Sequence, residues 1–305
     1  MCKFCDINPV MILSSGRKLC KNCFIRYFEK KVFKTIRNYK LIEEGDNIVC
    51  AISGGKDSLT LLFLLNKIIS KRRDVKLQSI LIDEGIKGYR EKTIKDAVDF
   101  CNKYDIKLNI YSYKEEFNYT LDELLKKTKV NSCTLCGVLR RYTLNKYAKK
   151  LKASKLATGH NLDDEAQSII MNQMKHNIEI SARLGPITGV LKNKGFIPRI
   201  KPLYFMTEKE VSIYSFLKKF TSTFAECPNS SDSYRSDIRD TLNSLEAKYV
   251  GIKYGIVNSF IEILPILKEK YKFKTVIKAC SSCGEPCSSN KCKVCQFIGN
   301  IKTNL

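Results

Sequence analysis

The chain has 305 residues, 44% hydrophobic and 28% charged, which excludes wholesale disorder and leaves room for one large domain with small satellites. Its 54 Lys and Arg against 31 Asp and Glu leave a net charge of +23, spread along the chain rather than gathered in a tail. Such a surface suits a polyanion, RNA or DNA, ahead of a Lys-rich surface with no partner.

Met1 is followed at once by Cys2, Lys3 and Phe4, so no secretory leader is expected. The longest apolar run, Leu59 to Leu65, is too short to span a bilayer. The expectation is a soluble, cytoplasmic protein without a membrane partner. Fourteen cysteines in that compartment point to metal or sulfur chemistry rather than disulfides.

Cys2-x-x-Cys5 is followed, after fourteen residues, by Cys20-x-x-Cys23. Each pair offers two thiolates from one tight turn, and two pairs complete a closed tetrahedral zinc site. A redox disulfide or a rubredoxin-like iron fits the doubled spacing less well. A short helical linker should follow, making residues 1–41 a metal-braced first segment.

Ile48 to Ile52, with Cys50 and Ala51 inside it, reads as a buried strand of a parallel sheet. It enters Ser53-Gly54-Gly55-Lys56-Asp57-Ser58, after which Leu59, Leu61, Leu62, Leu65, Ile68 and Ile69 suit a helix packed on the sheet. Strand, Gly-rich turn and helix N-terminus together make an anion site, because backbone N–H groups and the helix dipole both face the ligand. The spacing is not that of the P-loop, whose Lys-Ser/Thr directly follows the last glycine. Leu77 to Ile82 reads as a second strand ending in Asp83-Glu84-Gly85. A helix from about Tyr89 to Tyr104 and a third strand from Leu108 to Tyr113 follow. Cys50 and Cys101 read as inert core residues.

Cys133-Thr134-Leu135-Cys136-Gly137 lies within this domain, with a distant Cys227 before Pro228. Three cysteines do not close a zinc site, but they can hold three corners of a [4Fe–4S] cluster and leave one iron open. A metal-free disulfide or persulfide relay is the alternative. Leu156 to Thr158 reads as a fourth strand, running into Gly159-His160-Asn161-Leu162-Asp163-Asp164-Glu165-Ala166. Ligands of open α/β sheets bind beyond the carboxyl ends of strands, which gathers Ser53 to Ser58, Asp83 and Gly159 to Asp164 around one crevice. Asp163 and Asp164 open a helix, so capping is their plainer role, and His160 by itself reads as structural.

Gly185 to Pro202, rich in Gly and Pro, reads as a long loop over the site. Residues from about 233 to 271 read as helical, with Arg235 and Arg239 on one face, open to phosphate or simply solvated. Cys280-x-x-Cys283 and, eight residues on, Cys292-x-x-Cys295 repeat the closed zinc pattern within residues 273–305 and leave Cys287 aside. Residues 42–272 between the two ribbons are expected to form an α/β domain with a doubly wound parallel sheet.

The hexapeptide from Ser53 to Ser58 resembles the PP-loop of ATP pyrophosphatases. Together with the segments Cys133 to Arg141, Gly159 to Gln167 and Glu226 to Pro228 and the flanking CxxC pairs, it resembles the tRNA 2-thiouridine synthetases, related to the tRNA 2-thiocytidine enzymes. The resemblance covers nearly the whole chain, and the paired ribbons favour uridine over cytidine. It implies an ATP-dependent tRNA uridine 2-sulfurtransferase that adenylates uridine O2 and then transfers sulfur from a cluster held by Cys133, Cys136 and Cys227. It further implies two structural zinc ions, ATP with magnesium, and tRNA docking by the ribbons. Sulfide or a ubiquitin-like thiocarboxylate would donate the sulfur; a homodimer, like the choice between wobble and T-loop uridine, stays open.

On that pattern Ala51, Ser53, Gly54, Gly55, Lys56, Asp57, Ser58, Asp83 and Gly159 bind ATP. Lys56 and Arg140 neutralise developing phosphate charge, although Arg140 also suits a plain RNA-phosphate contact. Asp163 or Asp164 assists proton transfer or binds magnesium. Two rivals remain: a PP-loop ligase acting on a small molecule, which leaves the three internal cysteines unexplained, and a non-enzymatic zinc-ribbon RNA-binding protein.

Overall fold

The computed structural model describes residues 1–189, 195–220, 227–229, 234–272 and 277–303. The chain opens with a two-stranded hairpin, β1 (Met11–Ile12) and β2 (Lys18–Leu19), followed by helix α1 (Lys21–Asn38). The central domain runs β3 (Asn47–Ile52), α2 (Lys56–Ile69), β4 (Lys76–Asp83), α3 (Arg90–Lys103) and β5 (Leu108–Ser112). Next come α4 (Tyr113–Phe117), α5 (Leu121–Leu125), α6 (Ser132–Lys150), β6 (Lys155–Ala157), α7 (Leu162–Met174) and α8 (Ile178–Ser181). β7 (Arg199–Ile200), α9 (Glu208–Lys218), α10 (Tyr234–Lys248) and α11 (Ile252–Tyr271) complete it. The C-terminal segment holds β8 (Lys278–Ala279), β9 (Pro286–Cys287) and α12 (Lys293–Thr303).

The main sheet has five parallel strands in the order β5-β4-β3-β6-β7. That order reverses at β3, as the doubly wound expectation requires. β3 is buried on both sides, and the period of two divides its residues between two cores. Ile48, Cys50 and Ile52 face a core shared with Phe24, Phe28, Leu59, Leu62 and Tyr214. Val49 faces the other, built with Tyr113, Leu135, Cys136 and Leu139. A third cluster joins α7 to α10 and α11 through Leu162, Ile169, Leu242, Val257 and Phe260. Both end segments borrow these cores, so apolar packing runs across positions 41 and 272: Met11 and Leu19 join the first, Cys280, Val294 and Ile301 the second.

Two expectations need correction and a third is refined. The stretch from Gly185 to Pro202 is not all loop: Arg199 and Ile200 form the fifth strand, in register with Leu156 and Ala157. A two-residue edge strand is too short to carry a periodic signal. The helical reading from about 233 to 271 holds and divides into two helices, bent by 111° across a break at Gly251, whose φ of +101° suits glycine. Tyr113 opens α4 instead of closing β5, because Ser112 caps that helix in a reciprocal box with Glu115.

Candidate active site

The carboxyl ends of β3, β4 and β6 carry the turns that hold the chemistry. After β3, Gly54 adopts φ +84°, and a Cβ there would lie 1.9 Å from the Thr93 carbonyl oxygen, so only glycine fits. The loop is drawn in by its own serines: the Ser53 N–H donates to Ser58 Oγ at 3.1 Å, and Ser58 Oγ donates to the Gly55 carbonyl at 3.0 Å. Gly55 caps α2 without a side-chain acceptor, which leaves that helix's first N–H groups for an anion. Gly159, after β6, comes close enough that a Cβ would sit 3.1 Å from Ser58 N. Asp83, at the end of β4, accepts from the Gly85 N–H at 2.9 Å and shapes the neighbouring turn.

Lys56 contacts Asp57 and Glu208, each at 3.0 Å. Burial opposes the Lys56 charge, but the two carboxylates prevail and hold its pKa above the usual lysine value. Asp57 also accepts from Asn161 Nδ2 at 3.1 Å; burial pushes its carboxyl up against the pull of Lys56, and nearby Asp164 adds to the push. The two aspartates of α7 therefore part ways. Asp164 sits within electrostatic reach of Asp57 and closes the capping box with Asn161. Asp163 is buried, accepts from the Glu208 N–H at 2.8 Å, and forms an ion pair with Lys253 that pins α11 to α7.

Cys133 and Cys136 lie on the first turn of α6, which Asn131 caps. The segment of Cys227 docks there: Cys133 Sγ and Ser132 Oγ both donate to the Asn229 carbonyl, at 3.3 and 3.2 Å. Burial raises the Cys227 thiol. Burial likewise raises Cys136. Glu226 lies outside the described residues.

Two residues that join the halves, Arg90 and Glu84, receive no role in the sequence reading. Arg90, buried in α3, donates to the Ser53 carbonyl at 2.9 Å and the Ile82 carbonyl at 2.6 Å. It also pairs with buried Glu84 at 2.8 Å. Glu84 pairs in turn with Arg140 at 3.0 Å, and Arg140 donates to Cys136 Sγ at 3.0 Å. A single chain of charge thus runs from the glycine loop to the buried cysteine. Glu84 beside Asp83 was a visible hint; a buried Arg at a helix start leaves no local pattern. Arg235 and Arg239, read as open to phosphate, are engaged otherwise. Arg235 donates to Gln167 Oε1 at 2.8 Å and the Asp164 carbonyl at 3.0 Å, docking α10 on α7, while Arg239 pairs with Asp240 at 2.9 Å.

At each end four cysteine sulfurs, Cys2, Cys5, Cys20 and Cys23 or Cys280, Cys283, Cys292 and Cys295, lie within 4.8 Å of one another. Zn–S bonds of about 2.3 Å at tetrahedral angles place sulfurs about 3.8 Å apart. Separations of 3.9 Å for Cys5–Cys23 and 3.8 Å for Cys283–Cys292 fit that ion. Backbone N–H groups, from Phe4 and from Cys292 respectively, pull Cys2 and Cys280 down to about 6. Cys287 stays out of the set and donates to the Ser289 carbonyl at 2.9 Å. The three internal cysteines do not close to such spacing. Three thiolates without a fourth are the donor set that leaves one iron of a cubane open, so these residue types fit an iron–sulfur cluster.

A glycine loop between strand and helix at the reversal point of a parallel sheet, with the order Ser-Gly-Gly-Lys-Asp-Ser, is the setting of a PP-loop nucleotide-binding protein. The family described as PP-loop domain matches residues 26–246. The cytoplasmic tRNA 2-thiolation protein 1 of Dictyostelium discoideum is 35% identical over 316 residues, covering 100% of this chain and 84% of that one. The tRNA-5-methyluridine(54) 2-sulfurtransferase of Pyrococcus horikoshii is 35% identical over 300 residues, covering 98% and 93%. The structure of the U34-tRNA thiolase NcsA from Methanococcus maripaludis with its [4Fe-4S] cluster superposes with a TM-score of 0.84 at 34% identity, covering 98% and 95%. The chain belongs to this PP-loop family of tRNA-thiolating sulfurtransferases.

Proposed function

We propose that the chain is a cytoplasmic, ATP-dependent tRNA uridine 2-sulfurtransferase. The observation that carries the reading is the ion-pair chain from Ser53 through Arg90, Glu84 and Arg140 to Cys136 Sγ, which ties a nucleotide loop to a three-cysteine site. Uridine O2 attacks the α-phosphorus of ATP, the α–β bridge breaks, and pyrophosphate leaves. Sulfur then adds at C2 and the oxygen departs with AMP. The exposed N–H groups of the glycine loop and the start of α2 hold the phosphates, and Ala51, Ser53, Ser58, Asp83 and Gly159 shape the nucleotide's seat. Lys56 exchanges its carboxylate partners for phosphate, while Asp57 and Asp164 hold magnesium.

Arg140 keeps a fixed positive charge between the two halves. Asp163, committed to Lys253, holds the architecture instead of moving protons. Cys133, Cys136 and Cys227 would hold a [4Fe–4S] cluster, which when bound would activate donor sulfur at an iron that no protein thiolate occupies. The terminal cysteine sets each hold a structural zinc. Sulfide or a ubiquitin-like thiocarboxylate provides the sulfur. The test is anaerobic incubation of the protein with tRNA, ATP and sulfide, read by nucleoside mass spectrometry. ATP-dependent 2-thiouridine, at position 34 or 54, is the expected product; its absence with the cluster intact overturns the reading.

A further inference from the structure

Two guanidiniums beside the cysteine site take no part in the chain of ion pairs. Arg140 and Arg141 are neighbours on α6, and each reaches back one turn, Arg140 to Cys136 and Arg141 over Gly137. A Cβ at Gly137 would lie 3.3 Å from Arg141 Nη1 and 3.7 Å from Nη2. The missing side chain is therefore the space in which this guanidinium rests, directly after a cluster cysteine. Arg199, on edge strand β7, meets it from across the crevice and donates through Nη2 to the Arg141 carbonyl at 3.5 Å.

Among the described residues neither side chain forms an ion pair with a carboxylate, whereas the adjacent Arg140 pairs with Glu84. Arg141 is exposed on α6 and Arg199 half-buried beside it, so both are open to a ligand, and like charges crowd them. Burial, and then Arg141, pull Arg199 down to about 10, and burial, and then Arg140, lower Arg141. The imidazole of His160 is kept well below its ordinary pKa by burial and by Lys201, Arg235, Arg199 and Arg140, so it stays neutral and adds no further positive charge among them. Crowded cations without a counter-charge mark a place completed by an anion. The phosphates of ATP already have the glycine loop and the α2 N-terminus. The second anion lies on the cysteine side, where the polynucleotide must present its base.

We infer that Arg141 and Arg199 clamp one RNA backbone phosphate beside the uridine to be thiolated, with Gly137 leaving room for the Arg141 guanidinium. This rests on the tRNA reading above and adds a phosphodiester subsite to it. The planar forks of two arginines suit a phosphate better than lysine point charges would.

The experiment uses the cluster-loaded full chain and tRNA in which the phosphate on either side of the target uridine is replaced by neutral methylphosphonate. At one of the two positions the wild-type protein should lose at least about tenfold in affinity. The Arg141→Ala/Arg199→Ala variant should bind unmodified tRNA that weakly and lose nothing further on substitution. Its dependence of log affinity on log salt should flatten by about 1 in all, because both arginines serve a single phosphate. ATP affinity, iron and zinc should stay at wild-type values. Gly137→Ala, which favours the helix by about 1 kcal/mol but shifts Arg141, should weaken tRNA binding without lowering Tm. The inference falls if the double variant binds tRNA with wild-type affinity and salt slope, or keeps the methylphosphonate penalty. It falls equally if ATP affinity drops instead, which would assign the pair to the nucleotide. A wild-type protein that does not bind tRNA at all would refute the functional reading itself, a distinct result.

Discussion

The two cysteine ribbons share one ligand set and brace opposite halves of the site. The N-terminal ribbon continues into α1, whose Phe28 stacks on Tyr214 of α9 at 4.2 Å and whose Tyr27 donates to Glu210 at 3.0 Å. α9 begins at Glu208, the carboxylate that holds Lys56 of the glycine loop. The C-terminal ribbon packs instead on α6, the helix of Cys133 and Cys136. Cys280 and Cys292 share a core with Leu135 and Leu139, and Glu285 meets Lys149 at 2.6 Å and Asn145 at 3.1 Å. A segment too small to bury a core of its own takes its stability from its ligands and from the element it leans on. The element chosen decides which half of the chemistry it supports.

The sharpest way to separate the halves is to remove one side of the chemistry at a time. Cys227→Ser should abolish thiolation and strip most of the iron from anaerobically purified protein, while ATP affinity and zinc content stay unchanged. Full thiolation by an iron-free protein would point to a persulfide relay in its place. Asp57→Ala is the mirror experiment. Pyrophosphate release in the presence of tRNA should vanish, with iron content and tRNA affinity nearly intact. Continued release would remove the glycine loop from the reaction.

The supports of the two halves should differ in the same sense. Phe28→Ala deletes a fully buried ring and should cost about 3–5 kcal/mol of stability, seen in denaturant titration. In the protein that remains folded, ATP affinity should weaken before iron is lost. Glu285→Gln removes one charged contact between the C-terminal ribbon and α6 and should cost only about 1 kcal/mol. Any functional effect should fall on iron retention rather than on ATP. If the two variants instead disturb iron and ATP alike, the ribbons brace the molecule as a whole and the division fails.

How much of this was legible in advance depended on distance along the chain. The four cysteine pairs, the hexapeptide Ser53 to Ser58 and the run from Ile48 to Ile52 are local patterns, because tight turns and buried strands are specified by residues a few positions apart. They were sufficient for the sheet class, the nucleotide loop and the two terminal four-cysteine groups. Fold decided what lay beyond that reach. Asp163 and Asp164 are adjacent in sequence, yet one faces Lys253 and the other Asp57, since successive helix positions turn by about 100°. Arg235 looked free for RNA until α10 packed on α7, and Arg199 looked like loop until two residues completed the sheet. The link from Arg90 through Glu84 to Arg140 joins three elements, and no window of sequence contains it. Buried ion pairs form where folding excludes water around charges that happen to meet, so tertiary structure alone selects the partners.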